Sequence, residues 1–198
     1  FRQTRLRFAT NAIEMGNAWG GDDGAVASDL LIEGSARAIG PGCMDSLERA
    51  TIIDATIGVD ELASGGCDGD RTYADLVVEG ADNALILDAS VENQVIISGS
   101  TFRDHQTGVS FRGGNEDTYV DVLIEDTRFE DGRSGGFDIT TRFAGAGTLS
   151  ILDSTFAGGT RGLRLHGRYQ GVDDLEVFVR GNRFEGLTEA ISFGGRRF

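Results

Sequence analysis

The sequence contains no lysine, and all 18 of its basic residues are arginine. Against 32 acidic residues they leave a net charge of −14. That balance excludes a phosphate-binding surface as the main function, because nucleic acids and anionic membranes are held through positive charge. No partner of either kind is expected. Apolar runs of 18 residues are also missing, so no membrane span is expected. Proline occurs once, against 30 glycines. The chain must therefore make its turns with glycine, as a fold with many tight positive-φ corners does. Two cysteines and two histidines are too few for a disulfide-dense scaffold or a zinc ligand set. No helical apolar periodicity is visible, including at the N-terminus. No signal peptide is visible either, and the first residue is Phe1, so the chain is expected to be a processed product or a piece of something longer.

What the sequence does contain is a repeat. VIISGSTF at 95–102 recurs as VLIEDTRF at 122–129, LSILDSTF at 149–156 and VFVRGNRF at 177–184, and the closing phenylalanines are 27, 27 and 28 residues apart. A fixed period of this length marks an array of one structural unit. Each unit opens with alternating apolar residues (Val95 and Ile97, Val122 and Ile124, Leu149 and Ile151, Val177 and Val179), the pattern of a strand with one buried face. A small polar residue follows at Ser100, Thr127, Ser154 and Asn182, then the Phe. About a dozen residues after the first strand comes a second apolar pair: Val109 and Phe111, Phe137 and Ile139, Leu163 and Leu165, Ile191 and Phe193. Two or three short strands per period with no helix between them predict the coil of a parallel β-solenoid. At roughly 25 residues per coil, the chain holds about eight coils in one domain spanning 1–198. Residues 95–198 are the regular part. Residues 1–94 read as shorter, irregular coils, with degenerate copies at DLLIEGSA (ladder position Ser35), ATIIDAT and ADLVVEGA, aligned on Ile32, Ile53, Val78 and Ile97.

Val179 to Phe184 follows the I-x-x-N-x-F pattern, and on this motif and its repeats the chain resembles the right-handed parallel β-helix of the pectate-lyase-like superfamily. The resemblance implies an internal polar ladder (Ser100, Thr127, Ser154, Asn182) and an internal aromatic ladder (Phe102, Phe129, Phe156, Phe184). It also raises the question of polysaccharide cleavage or epimerisation, which needs a base at the uronate α-proton and a cation at its carboxylate. Without lysine, the members that depend on one are excluded. The family's Arg-containing signature and the paired-Asp constellation of polygalacturonases have no counterpart here. The candidates that remain are Asp104 and His105 beside Arg112, and His166 between two arginines. The histidines fall at different places around the coil and read as surface loop residues, so no catalytic set is assigned.

Cys43 and Cys67 lie in loops after successive repeat strands, and coils stack about 4.8 Å apart, within reach of a disulfide. A bridge would place the protein outside the cell or on its surface. Two unrelated loop thiols are the other reading. Four acidic or glycine-rich loops, at Asn17–Gly24, Cys67–Asp70, Arg112–Tyr119 and Tyr169–Asp174, have the oxygen chemistry of Ca²⁺ sites. None repeats at a fixed interval, so no cofactor or metal ligand is assigned. Strand alternation turns Ile96, Leu123, Ser150 and Phe178 outward in one row, with Leu152 one position over, and turns Ser110, Asp138, Arg164 and Ser192 outward in another. The apolar row reads either as a contact surface or as a face covered by a loop or terminal segment of the same chain. The sequence-based expectation is an extracellular structural or adhesive solenoid, self-associating into a homo-oligomeric layer or filament. A lyase, an epimerase or a module binding acidic or neutral glycans is the alternative.

Overall fold

The computed structural model of the chain describes residues 2–7, 9–13, 25–61, 69–88, 93–113, 119–134, 136–143, 146–166 and 175–194. All regular structure in them is β. The chain opens with β1 (Arg2–Arg7) and β2 (Asn11–Ile13), then the long β3 (Ala25–Glu33) and β4 (Arg37–Ile39). From there each turn has three strands. They are β5 (Met44–Glu48), β6 (Thr51–Ile53) and β7 (Ile57–Asp60); β8 (Arg71–Ala74), β9 (Val77–Glu79) and β10 (Asn83–Asp88); β11 (Asn93–Ser98), β12 (Thr101–Arg103) and β13 (Thr107–Gly113). The last three turns are β14 (Tyr119–Glu125), β15 (Arg128–Glu130) and β16 (Phe137–Phe143); β17 (Ala146–Leu152), β18 (Thr155–Ala157) and β19 (Arg161–His166); β20 (Leu175–Arg180), β21 (Arg183–Glu185) and β22 (Glu189–Gly194).

Every strand pairs in parallel with its counterpart one coil away, which makes the fold a parallel β-solenoid. Three ladders result. The first and second belong to one 14-stranded sheet because β3 is long enough to serve both, and the third is a separate 8-stranded sheet. About five turns, β8 to β22, are of the regular kind, fewer than the eight expected from length alone. The shortfall lies at the N-terminal end, where β3 merges two strands and β5 joins it across a register shift between Ala25 and Val26.

Two columns of side chains fill the interior of the later coils as the repeat requires. Phe102, Phe129, Phe156 and Phe184 stack with centroids 5.2, 4.9 and 4.8 Å apart, and the first three are sealed from solvent. In the polar ladder each hydroxyl donates to the carbonyl two residues back, Thr127 to Glu125 O at 2.8 Å and Ser154 to Leu152 O at 2.8 Å. Ser100 Oγ also accepts an N–H from the preceding coil, from Leu76 N at 3.1 Å, and Ser154 Oγ does from Thr127 N at 3.2 Å. Buried backbone groups at the corner are thereby satisfied.

The early register differs from the sequence alignment. Ile32, Ile52 and Val78 continue the Phe102 column, not the Ile97 column, whose members are Leu47 and Tyr73. Ser35 is therefore one corner beyond the polar ladder, which begins at Ser100 and has Leu76 as its neighbour below. With Ile or Val in place of Phe and no polar marker, the second-ladder strands at 31–33, 51–53 and 77–79 read as first-ladder ones. A later slip has a different cause: ten residues separate Phe129 from Ile139, against seven between Phe102 and Val109. Thr140, not Asp138, thus occupies the outward row with Ser110 and Arg164.

Between the first and second ladders the corner residue has positive φ at Asp29, Arg49, Asp75, Gly99, Asp126, Asp153 and Gly181. A second such column follows the second ladder at Gly34, Asp54, Gly80, Asp104, Asp131, Gly158 and Gly186. Glycine takes this conformation freely and Asp is among the few other residues that tolerate it, which explains the Asp/Gly bias at these positions.

Candidate functional site

The three faces of the solenoid differ in what they offer. On the third ladder the outward-facing Asp60, Ile86, Ser110 and Thr140 are buried, and Arg164 and Ser192 further along the row are half-buried. The second ladder carries outward Arg and Glu, with Arg103 lying 3.9 Å from Glu79 and 3.5 Å from Glu130. The first ladder has an outward row of seven, Val26, Ser46, Thr72, Ile96, Leu123, Ser150 and Phe178, without a charged member. Ile96 and Leu123 are half-buried within it, and Leu152 in the adjoining row is half-buried too. Phe178 is 50% exposed and Val26, which sequence reasoning passed over, 63%. The exposed apolar members of the row are thus the two at its ends.

The structure separates the other candidate residues. Asp104 points out from its corner to Arg133 Nε at 3.0 Å, and this hydrogen bond holds its carboxyl below the usual range. Arg133 also reaches Asp82 at 2.6 Å, clasping the second corner from the segment that lengthens this turn. Arg112 is half-buried on β13, its Nε 3.0 Å from Ser110 Oγ. His166 ends β19, and its side chain lies outside the description.

His105 is not the surface residue expected. Its side chain points inward and is fully buried, with Nε2 2.8 Å from Asp138 Oδ1 of the next coil and the ring edge-on to Phe129. The local sequence explains the turn. His105 follows the positive-φ Asp104 just as Ala55 and Ala81 follow Asp54 and Gly80, and Gly132 above it leaves room for the ring. Asp138 likewise takes a place held by Ala84, Gly108 and Gly162, small residues because the aromatic stack fills the space opposite. At Gly108 an added Cβ would lie 2.8 Å from Phe129 Cδ1. Burial raises the Asp138 carboxyl, opposed by its hydrogen bond to His105. The pair joins two coils from inside and has no path to a substrate among the described residues.

A second buried cluster was missed from sequence. Glu61, Arg71 and Tyr73 occupy three inward columns whose other members are Leu87 and Phe111, Val95 and Val122, and Ile97 and Leu47. All three are at most 1% exposed. The Glu61 carboxylate accepts hydrogen bonds from the Tyr73 hydroxyl, from Arg71 Nη1 and, at 3.0 Å, from Asp88 N, while Arg71 Nη2 donates to Asp88 O at 2.7 Å. Burial pushes the Glu61 carboxyl up against the opposing pull of Arg71 and Tyr73, and burial beside Glu61 lifts the Tyr73 phenol well above its ordinary value. The signal for it was Arg-Thr-Tyr at 71–73, polar and aromatic residues in the inward phase of a strand.

Cys43 precedes β5, and no described cysteine is a free thiol; its expected partner Cys67 lies outside the described residues. Most of the acidic loops considered for Ca²⁺ also lie outside them. Among the described residues no group of three or more His, Cys, Asp or Glu could hold a metal ion, and no helix is long and apolar enough to cross a membrane. No family model matches the chain, and no curated protein or solved structure matches it either.

Proposed function

We propose that this β-solenoid is a structural or adhesive protein of the extracellular space or cell surface that associates with copies of itself into a layer or filament. The observation that carries the reading is the uncharged outward row of the first ladder, which ends in the exposed Val26 and Phe178 on a protein of net charge −14. An exposed apolar group on so charged a surface marks a contact surface. Acid–base groups that could process a glycan, His105 with Asp138 and Glu61 with Tyr73, are sealed inside, which favours the structural reading over the polysaccharide one. A Cys43–Cys67 bridge, with no described cysteine a free thiol, would belong to an oxidising compartment. We further take the coil to be right-handed and pectate-lyase-like, since parallel crossovers overwhelmingly have that hand and Asn182 and Phe184 occupy the two ladders.

Sedimentation of the 198-residue chain across a salt series tests the proposal. Association should strengthen with salt as acidic repulsion is screened, and Phe178→Asp should weaken it without changing the circular dichroism of the fold. A monomer at every salt concentration would remove self-association as the function.

A further inference from the structure

The corners of the solenoid do not by themselves decide which strand stands on which ladder. From Asp29 and Gly34 to Gly181 and Gly186, the two positive-φ corner residues of each described coil are five positions apart. A strand displaced along the chain by five residues therefore meets a corner that again tolerates positive φ. In the later coils the side chains remove this ambiguity, because the same shift would take each Phe out of its stack and each hydroxyl out of the polar ladder.

Before Ser100 the columns carry no such mark. Leu30, Ala50 and Leu76 stand in the place of the polar ladder, and Ile32, Ile52 and Val78 in that of Phe. At β8 and β9 a five-residue shift would bring Leu76 and Val78 against Val95 and Ile97, in place of Arg71 and Tyr73. Packing alone would accept it, since Leu76, Val78, Val95 and Ile97 are all buried apolar residues. It is also the register that alignment of the early copies on Val78 and Ile97 suggests.

What the shift would break is the Glu61 cluster. Glu61 closes one coil, and Arg71 and Tyr73 reach it from the first strand of the next, while Asp88, at the end of that next coil, bonds to both Glu61 and Arg71. Five residues of strand are about 17 Å, so the shift would carry Arg71 and Tyr73 out of reach. The Glu61 carboxylate, at 1% exposure, would then lie among apolar side chains without its cation. A buried charge that has lost its partner is strongly disfavoured, although the intact cluster adds little over apolar groups of the same size.

We propose that Glu61, Arg71 and Tyr73 form a register lock, which selects β8 over β9 as the first-ladder strand where no other column is chemically marked. Its contribution is to the choice between two packings of the chain and is independent of self-association.

Cross-coil disulfides read the register directly. Thr72 and Ile96 are opposite one another on paired strands, a separation that a disulfide spans, and the shifted register would put Val77 in the place of Thr72. In the otherwise unaltered chain, oxidised and mapped by mass spectrometry, Thr72→Cys with Ile96→Cys should link, and Val77→Cys with Ile96→Cys should not. Adding Glu61→Leu, Arg71→Val and Tyr73→Phe should raise the second link at least about tenfold as the shifted packing becomes populated. The urea midpoint should stay level or rise, which separates a loss of specificity from a loss of stability. Should circular dichroism show the triple variant unfolded, Tyr73→Phe alone, which removes one hydrogen bond to Glu61, should raise the same link about threefold. A link between positions 77 and 96 that is no commoner in these variants, or already common without them, would overturn the lock.

Discussion

Replacing Arg71 by valine, the residue its column carries at position 95, removes the one positive charge bonded to Glu61. The carboxylate keeps its hydrogen bonds from Tyr73 and the Asp88 N–H but remains sealed at 1% exposure. Deleting one partner of a buried ion pair costs about 3–5 kcal/mol, which for a chain of this size lowers Tm by on the order of 10 °C. Glu61→Leu, Arg71→Val and Tyr73→Phe together should instead be neutral or stabilising by up to about 4 kcal/mol, since apolar groups of similar volume often match or exceed a buried pair. The repeat supplies these replacements itself, because Leu87 and Val95 already fill the same columns one coil on. The single variant should also respond to pH. Burial holds the folded Glu61 carboxyl above its unfolded value, so the ionised form is penalised at high pH and the penalty is relieved as pH falls through the raised folded value. Urea unfolding followed by far-UV circular dichroism at pH 7 and pH 5 reads both effects, and the deficit of Arg71→Val should shrink at pH 5. A loss below about 1 kcal/mol for that variant, or above about 3 kcal/mol for the triple one, would show that the cluster is not the sealed, mutually bonded unit described.

Phe129→Ala should destabilise by about 3–5 kcal/mol in the same urea assay, because its ring is buried between Phe102 and Phe156. Gly108→Ala places a methyl against the same ring and against Asp138 O at 2.5 Å, and should cost about 1–3 kcal/mol as overpacking. Asp138→Asn should gain on the wild type as pH rises, since the raised carboxyl of the wild type loses stability above its folded value; thermal unfolding at pH 5 and pH 8 compares them. In denatured, unreduced protein, thiol titration should find no free thiol, and hydrogen exchange after reduction should rise first around β5. Two titratable thiols would end the extracellular assignment.

The later coils were legible because two columns are chemically marked: Phe102 to Phe184 and Ser100 to Asn182 repeat one residue type or one function at a fixed step. The early coils were harder because Leu30, Ala50 and Leu76 stand where the polar ladder would be and Ile or Val where Phe would be, so an apolar strand could be assigned to either ladder. β5 and β8 escaped notice altogether, the latter because its inward residues are Arg71 and Tyr73. His105 was misplaced for a related reason. Its inward turn follows from the φ of Asp104, a backbone property that a loop with one acidic and one imidazole side chain does not announce. Burial at single sites depends on what the neighbouring coil leaves empty, here Gly132 above His105, and periodicity alone does not reveal that.

Among the described residues, seven of the eight non-glycine residues with positive φ are aspartates, spread along two edges at intervals of one or two coils. The protein's acidity is therefore partly a product of its corners, and it behaves as a rod of roughly constant charge per unit length rather than a sphere of fixed charge. For such rods the repulsion between two lying side by side grows with their overlap, while the repulsion at an end contact does not grow with length, since charges beyond a Debye length of about 8 Å are screened. Filaments of the kind proposed should accordingly elongate as single thin threads and bundle only where salt is high enough to screen the aspartate edges.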